Sequence, residues 1–262
     1  MYANQLQGRL ARTAAAAVGA LVMLAAPAAR AAVIGDGTFN DADWSLTSFT
    51  NSGSSATAGQ QASGGNPGFW RKVIDFDANA GGPITNSIII GANIYTAASY
   101  HPGAQGALGP ITLSIDTLCS EASGCFGEGE GVGFLVMQGG KTYIESEFDT
   151  GNNGLGWVTH SYSGLTSSNF SLIDVTNAGL SDPTQHPDFS AGGGVIQFGF
   201  ASENSALNSG YTVGSGFDNF SSNVRAFQPS TGGVPEPATW SLMLIGFGGL
   251  GLLLRRRRAV LV

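Results

Sequence analysis

Positive charge is scarce through the middle of this 262-residue chain. Between residues 32 and 233 only Arg71, Lys72, Lys141 and Arg225 are basic, against 17 acidic residues, a formal charge of −13. DNA, RNA and anionic membrane surfaces are held by clustered Lys or Arg on phosphate groups, so no nucleic-acid partner is expected. Cysteine is almost as rare. Cys119 and Cys125 have five residues between them in "TLCSEASGC", where a redox motif has two, and with no His nearby a zinc site is not expected. The three histidines, His101, His160 and His186, are scattered, and no Gly-x-Ser-x-Gly elbow surrounds any serine, which leaves a nucleophile triad without support. "GEGEGVG" at 127–133 lacks the spacing and the following helix of a phosphate cradle. Helical periodicity is missing from the middle too, and long apolar runs occur only at the two ends.

Those ends read as export signals. Arg9 and Arg12 precede an apolar stretch, Ala14–Ala26, then Pro27 and the small-residue run 28–32. This is the three-part pattern of a secretory signal peptide, residues 1–31, with cleavage expected after Ala31. Export places the two cysteines in an oxidising compartment, where a Cys119–Cys125 disulfide closing a short loop is the expected state. Near the other end, "QPSTGGVPEP" (228–237) is a polar linker. It leads into an uncharged run, Ala238–Leu254, which as a helix of about 1.5 Å per residue reaches roughly 25 Å, enough for a short transmembrane helix. Arg255, Arg256, Arg257 and Arg258 follow, so that the tail 255–262 is expected on the cytoplasmic side.

Pro235-Glu236-Pro237, Trp240, Met243-Leu244, the glycine-rich run 246–251 and the terminal arginines resemble the PEP-CTERM sorting signal in its Pro-Glu-Pro-x-x-Trp subtype. The resemblance implies processing by an exosortase, an integral membrane transpeptidase of Gram-negative bacteria that make exopolysaccharide. It also implies a transient stay in the inner membrane before delivery to the cell surface or extracellular matrix.

Residues 32–227 have the size of one domain with its own core. Short β-type runs are expected at 71–78, 87–95, 111–118, 131–138, 141–149, 155–163, 169–174, 193–202 and 216–227, several with clean alternation, as at Ile111, Leu113, Ile115 and at Ile196, Phe198, Phe200. Gly139-Gly140 predicts a two-residue hairpin turn. Many short strands separated by Gly, Asn and Asp turns predict an all-β fold, a jelly-roll β-sandwich. "GGNPGFW" (64–70), "HPDFSAGGGVIQFGF" (186–200) and "GSGFDNFSSNV" (214–224) resemble secreted bacterial domains of the concanavalin-like or laminin-G-like type, which implies the same sandwich.

The strand 141–149 alternates so that Tyr143, Glu145, Glu147 and Asp149 share one face, expected to meet water or a cation. "EFDTGNN" (147–153) with the preceding "GEGVGFLV" resembles the metal-binding neighbourhood of legume-type lectins. That implies Glu147, Asp149 and Asn153 as oxygen ligands of a kind that suits Ca²⁺. The pattern departs at Trp157, where the family has an acid; His160 lies near the later His without matching its spacing. Glu147-Phe148-Asp149 also begins the pattern of jelly-roll glucanases, but Gly151 and Asn152 occupy the place of the second catalytic Glu, leaving only acids such as Glu128 or Glu130 to be supplied by the fold. Phe69, Trp70, Tyr95, Tyr100, Trp157, Tyr162 and Tyr211 are candidates for stacking on sugar rings, against the alternative of core packing. The sequence reading is therefore an exported, non-catalytic, glycan-binding or exopolysaccharide-associated β-sandwich, with a jelly-roll glycoside hydrolase or lyase and a purely structural matrix protein as the alternatives.

Overall fold

A computed structural model describes residues 32–78, 87–119, 131–149, 156–177, 180–206 and 210–227, with residues 146–149 described by backbone alone. Ala29–Gln228 make one compact unit. The described strands are β1 (Ala32–Asp36), β2 (Trp44–Thr50), β3 (Ser55–Gly65), β4 (Gly68–Asp77), β5 (Ser87–Tyr95), β6 (Ile111–Cys119), β7 (Gly131–Gln138), β8 (Lys141–Asp149), β9 (Val158–Leu165), β10 (Ser171–Ile173), β11 (Ser181–Asp182), β12 (Ile196–Ala206) and β13 (Tyr211–Val224), with a single helical turn, α1 (Pro102–Gln105). No helix among the described residues is long and apolar enough to cross a membrane; the expected signal peptide, the linker, the span 238–254 and the arginine tail lie outside the described residues.

The strands form two antiparallel sheets. Sheet A runs β3-β4-β13-β6-β9, with β1 also paired to β13, and sheet B runs β11-β10-β8-β7-β12-β5-β2. At the centre β4-β13-β6-β9 and β5-β12-β7-β8 form the two halves of a sandwich. The chain changes sheet from β1 to β2, β2 to β3, β4 to β5, β5 to β6, β6 to β7, β8 to β9, β9 to β10 and β12 to β13, the alternation of a jelly roll. Alternation supplies the core. Ile111, Leu113 and Ile115 of β6 and Phe217 of β13 meet Phe134 of β7 and Phe198 and Phe200 of β12, all fully buried. Phe200 stacks on Phe217 across the sheets with centroids 4.3 Å apart. Each such ring contributes roughly 2–3 kcal/mol by leaving water. The "SIIIGANIY" strand β5 is apolar almost throughout because sheet B is buried on both faces: Ile89 and Asn93 face the core, while Ile90, Ala92 and Ile94 join Leu135 and Ala201 in a second cluster.

Several expected strands coincide with observed ones, β5, β7 and β8 end to end. Gly139 and Gly140 form the hairpin turn between β7 and β8 with φ of 60° and 77°, left-handed values that suit glycine at both central positions. Strands β1, β2 and β3 go beyond the sequence expectation. β3, "SATAGQQASGG", carries hardly an apolar side chain because it is the edge of sheet A and half of it faces solvent.

Candidate functional site

Strand β4 is inverted relative to ordinary amphipathic logic. Its two faces are Arg71, Val73, Asp75, Asp77 and Trp70, Lys72, Ile74, Phe76, and the more apolar set lies outside. Arg71 is 3% exposed, Asp75 1% and Asp77 0%, whereas Ile74 is 36% and Phe76 48% exposed. Arg71 and one oxygen of each buried carboxylate are met inside. Arg71 donates through Nε to Asn93 Oδ1 (2.8 Å) and through Nη1 to Asp41 Oδ1 (2.9 Å), and its guanidinium lies over the Trp44 ring. Asp77 accepts from Ser54 (2.8 Å) and Ser87, and Asp75 accepts from Asn204 Nδ2 (3.1 Å). Burial pushes the Asp75 carboxyl up to about 6, with hydrogen bonds from Ser202 and Asn204 opposing the rise and the negative charge of Asp77 adding to it. Holding these groups inside commits the apolar residues of the strand to the outer face of sheet A, where nothing in the packing of the core requires them.

On that outer face two tryptophans converge from opposite sides of β13. Trp70 comes from β4 and Trp157 from the residue before β9, and their rings meet edge to face at 5.7 Å. They meet over Gly216. A Cβ built there would stand 2.9 Å from Trp70 Cζ3 and 3.0 Å from Trp157 Cη2, so the aromatic pair exists because this position carries no side chain. Each indole N–H is tied down, Trp70 Nε1 donating to the Ser63 carbonyl (2.8 Å) and Trp157 Nε1 to the Gly64 carbonyl (3.1 Å). Both rings are half-buried and keep part of their surface in solvent. Phe76 lies six residues from Trp70 along the same face, ~20 Å away at about 3.3 Å per residue.

The carbonyls that hold the indoles belong to the tip of the β3–β4 hairpin, and two carboxylates hold the tip. Asp116 of β6 and Asp218 of β13 are directly opposed partners on this face. Asp218 accepts from the backbone N–H of Asn66 and of Asn219. Asp116 accepts from Asn66 Nδ2 (2.9 Å), Asn219 Nδ2 (2.8 Å) and Thr159 Oγ1 (2.5 Å). The Asn66-Pro67 bond is cis and Asn219 has a φ of 50°, a left-handed value that Asn tolerates better than most residues. Burial raises the Asp218 pKa, the two N–H bonds lower it, and the charges of Asp116 and Asp36 raise it further.

The candidates drawn from the sequence distribute unevenly. Of the seven aromatics, Trp70 and Trp157 meet on the outer face and Phe69 is exposed beside the hairpin tip. Tyr100 is buried with its hydroxyl donating to the Gly106 carbonyl, Tyr95 packs on Trp44, Tyr162 on Phe134, and Tyr211 donates to Asn204 Oδ1. The expectation that Tyr143 and Glu145 face water is corrected: both are buried, Tyr143 within the main core, and burial pushes Glu145 up to about 6. The reason is pairing: Tyr143 lies opposite Val136 and Glu145 opposite Phe134, both core residues, so this face of β8 points between the sheets. Beyond Glu145 the register shifts, Val132 pairing with Phe148, so β8 carries an extra residue that breaks the alternation assumed along the whole strand. The side chains of Glu147 and Asp149, and Asn153 with Glu128 and Glu130, lie outside the described residues. Cys119 is disulfide-bonded at the end of β6, and Cys125 lies outside the described residues. The histidines stay apart, His160 beside Thr117 Oγ1 and His186 beside the Phe170 carbonyl. Gly216, Lys72, Asp116, Asp218 and Asn66 were not singled out as site residues by sequence reasoning; the alternation of Trp70, Lys72, Ile74 and Phe76 was the available signal.

Residues 233–258 match the PEP-CTERM protein-sorting motif. The chain is thus a secreted, envelope-targeted protein. No curated protein matches it in sequence. Among solved structures it is similar to the family 11 carbohydrate-binding module of the cellulosomal cellulase Lic26A-Cel5E of Clostridium thermocellum, at 13% identity and a TM-score of 0.43 over 78% of this chain and 99% of that one. It is also similar to the CBM22-1 xylan-binding domain of Paenibacillus barcinonensis Xyn10C, at 10% identity and a TM-score of 0.36 over 78% of this chain and 100% of that one. At such values the relatives' ligands do not transfer to this chain.

Proposed function

We propose that the mature protein is a non-catalytic glycan-binding β-sandwich of the bacterial cell surface or exopolysaccharide matrix, and that it binds through the outer face of sheet A. The observation that carries this is the inversion of β4, which sets Trp70, Ile74 and Phe76 outward while burying Arg71, Asp75 and Asp77. The C–H faces of sugar rings bury apolar area on flat aromatic surfaces, and indoles anchored through their N–H groups lose little freedom when a ligand docks. A strand-lined face about 20 Å long suits an extended polymer.

A hydrolase reading is disfavoured by the occupation of the carboxylates. Asp116 is committed to three donors and Asp218 to two, all from the protein itself, so neither is poised to protonate a glycosidic oxygen or to attack a sugar. Export follows the expected route: an exosortase of a Gram-negative host recognises Pro235-Glu236-Pro237 and removes the C-terminal segment after a transient stay in the inner membrane.

Affinity electrophoresis of the protein through gels containing single polysaccharides tests the binding claim. Retardation by at least one exopolysaccharide is expected, and it falls by about ten-fold or more in Trp70→Ala and in Trp157→Ala, the scale of one lost aromatic contact. Saturable binding untouched by either substitution would remove this face from consideration.

A further inference from the structure

Resting on that glycan-binding reading, we infer that Lys72 makes the face selective for a carboxylate-bearing polysaccharide, one built with uronic acid units. Of the four basic residues between positions 32 and 233, Arg71 is buried and committed to Asp41 and Asn93, and Lys141 donates to Gln185 Oε1 at 2.8 Å. Arg225 is exposed near the end of β13. Lys72 is half-buried in mid-strand, and among the described residues it has neither an ion-pair nor a hydrogen-bond partner. Its stem is partly covered by the sheet, and its ammonium is left unpaired by the protein and open to an anionic ligand.

The position of Lys72 specifies the ligand. It lies on the outer face of β4 between Trp70 and Ile74, and its cross-strand partners are Gly59 of β3 and Gly216 of β13. Neither partner carries a side chain of its own; the indoles of Trp70 and Trp157 fill the space over Gly216, and the gap beside Lys72 opens on the Gly59 side, where Asp41 Oδ2 would stand 3.9 Å from a Cβ. Two anionic groups share the face, Asp116 and Asp218, and both spend their oxygens on Asn66, Asn219 and Thr159. The protein's overall negative charge does not prevent the contact, because at physiological ionic strength charges are screened beyond about 8 Å. A sugar polymer lying on Trp70 and Trp157 would bring a ring carboxylate against Lys72, a charge-assisted hydrogen bond in a partly dry setting.

The test uses the full-length chain in detergent and two forms of one polymer, polygalacturonate and its fully methyl-esterified counterpart, with a neutral β-glucan as a third ligand. Wild type is expected to bind polygalacturonate about ten-fold or more tightly than the ester. Lys72→Met, which keeps length and removes charge, should bring binding of polygalacturonate down to the level of the ester; Lys72→Arg should retain the preference; Trp70→Ala should weaken binding to both. Equal binding of the two polymers by wild type, or a preference that survives in Lys72→Met, overturns the inference. Trp70-dependent binding to the neutral glucan alone would overturn the assignment of ligand class and leave glycan binding standing, whereas no binding to any polysaccharide would overturn both. Circular dichroism of each variant checks that the sandwich is intact.

Discussion

Replacing Asp75 by Asn isolates the cost of the inverted strand. Asp75 is 1% exposed between the sheets, and its carboxyl titrates at about 6 in the folded protein against 3.8 in a solvated chain. Two pH units at about 1.4 kcal/mol each amount to ~3 kcal/mol of folding free energy. The sign follows from the direction of the shift. Well below the unfolded value of 3.8 the carboxyl is neutral in both states and costs nothing; as pH rises through 3.8 towards about 6 the unfolded chain ionises first, and the folded state loses stability. Asn fills the same space, carries no charge and can still accept from Asn204 Nδ2 through its amide oxygen. Urea titrations of residues 29–228 at pH 4 and pH 7 should therefore show Asp75→Asn near wild-type stability at pH 4 and more stable by ~3 kcal/mol at pH 7. Subtracting variant from wild type at each pH removes the contribution of Glu145, which titrates in the same range. A stability difference that stays constant between the two pH values would refute the claim that burial of this charge is what the fold sustains.

Other outcomes follow from the same geometry. Gly216→Val places a branched side chain where even a single Cβ meets both indoles at 2.9–3.0 Å; the rings must part, and glycan retardation in affinity gels should drop about as far as in Trp70→Ala, with overpacking costing roughly 1–3 kcal/mol in urea unfolding. Replacing Pro235, Glu236 and Pro237 by Ala should leave the protein in the membrane fraction and cut its release to the cell surface, with mass spectrometry of the product finding the terminal arginines still attached. Chelation by EDTA should leave Trp70-dependent binding unchanged, because the indoles and Lys72 need no metal; a loss of binding would bring the Glu147, Asp149 and Asn153 neighbourhood back into the site.

What was readable without a structure concerned local pattern. Pro-Glu-Pro, an apolar run and terminal arginines are contiguous, so the sorting motif at 233–258 needs no fold to be recognised. Alternation in β6 and β12 and the glycine pair at 139–140 likewise depend on neighbours within a few residues, which is why the β-sandwich was within reach. The extra residue in β8 was not, because a bulge changes register against the partner strand without leaving a mark in the alternation itself.

Tertiary structure alone decided the face. Each half of "WRKVIDFD" mixes apolar and charged residues, so alternation identifies β4 as a strand and leaves its orientation open. The choice was made by partners distant in sequence: Asn93 for Arg71, Ser54 and Ser87 for Asp77, Asn204 for Asp75. The same holds for the indoles, 87 positions apart in the chain and joined only because the jelly-roll order sets β13, with a glycine at residue 216, between the sheet positions that carry them. Sequence determines which residues can bury or expose their surfaces; the crossing of strands determines which of them meet, since a contact spanning half the chain has no local energy by which to announce itself.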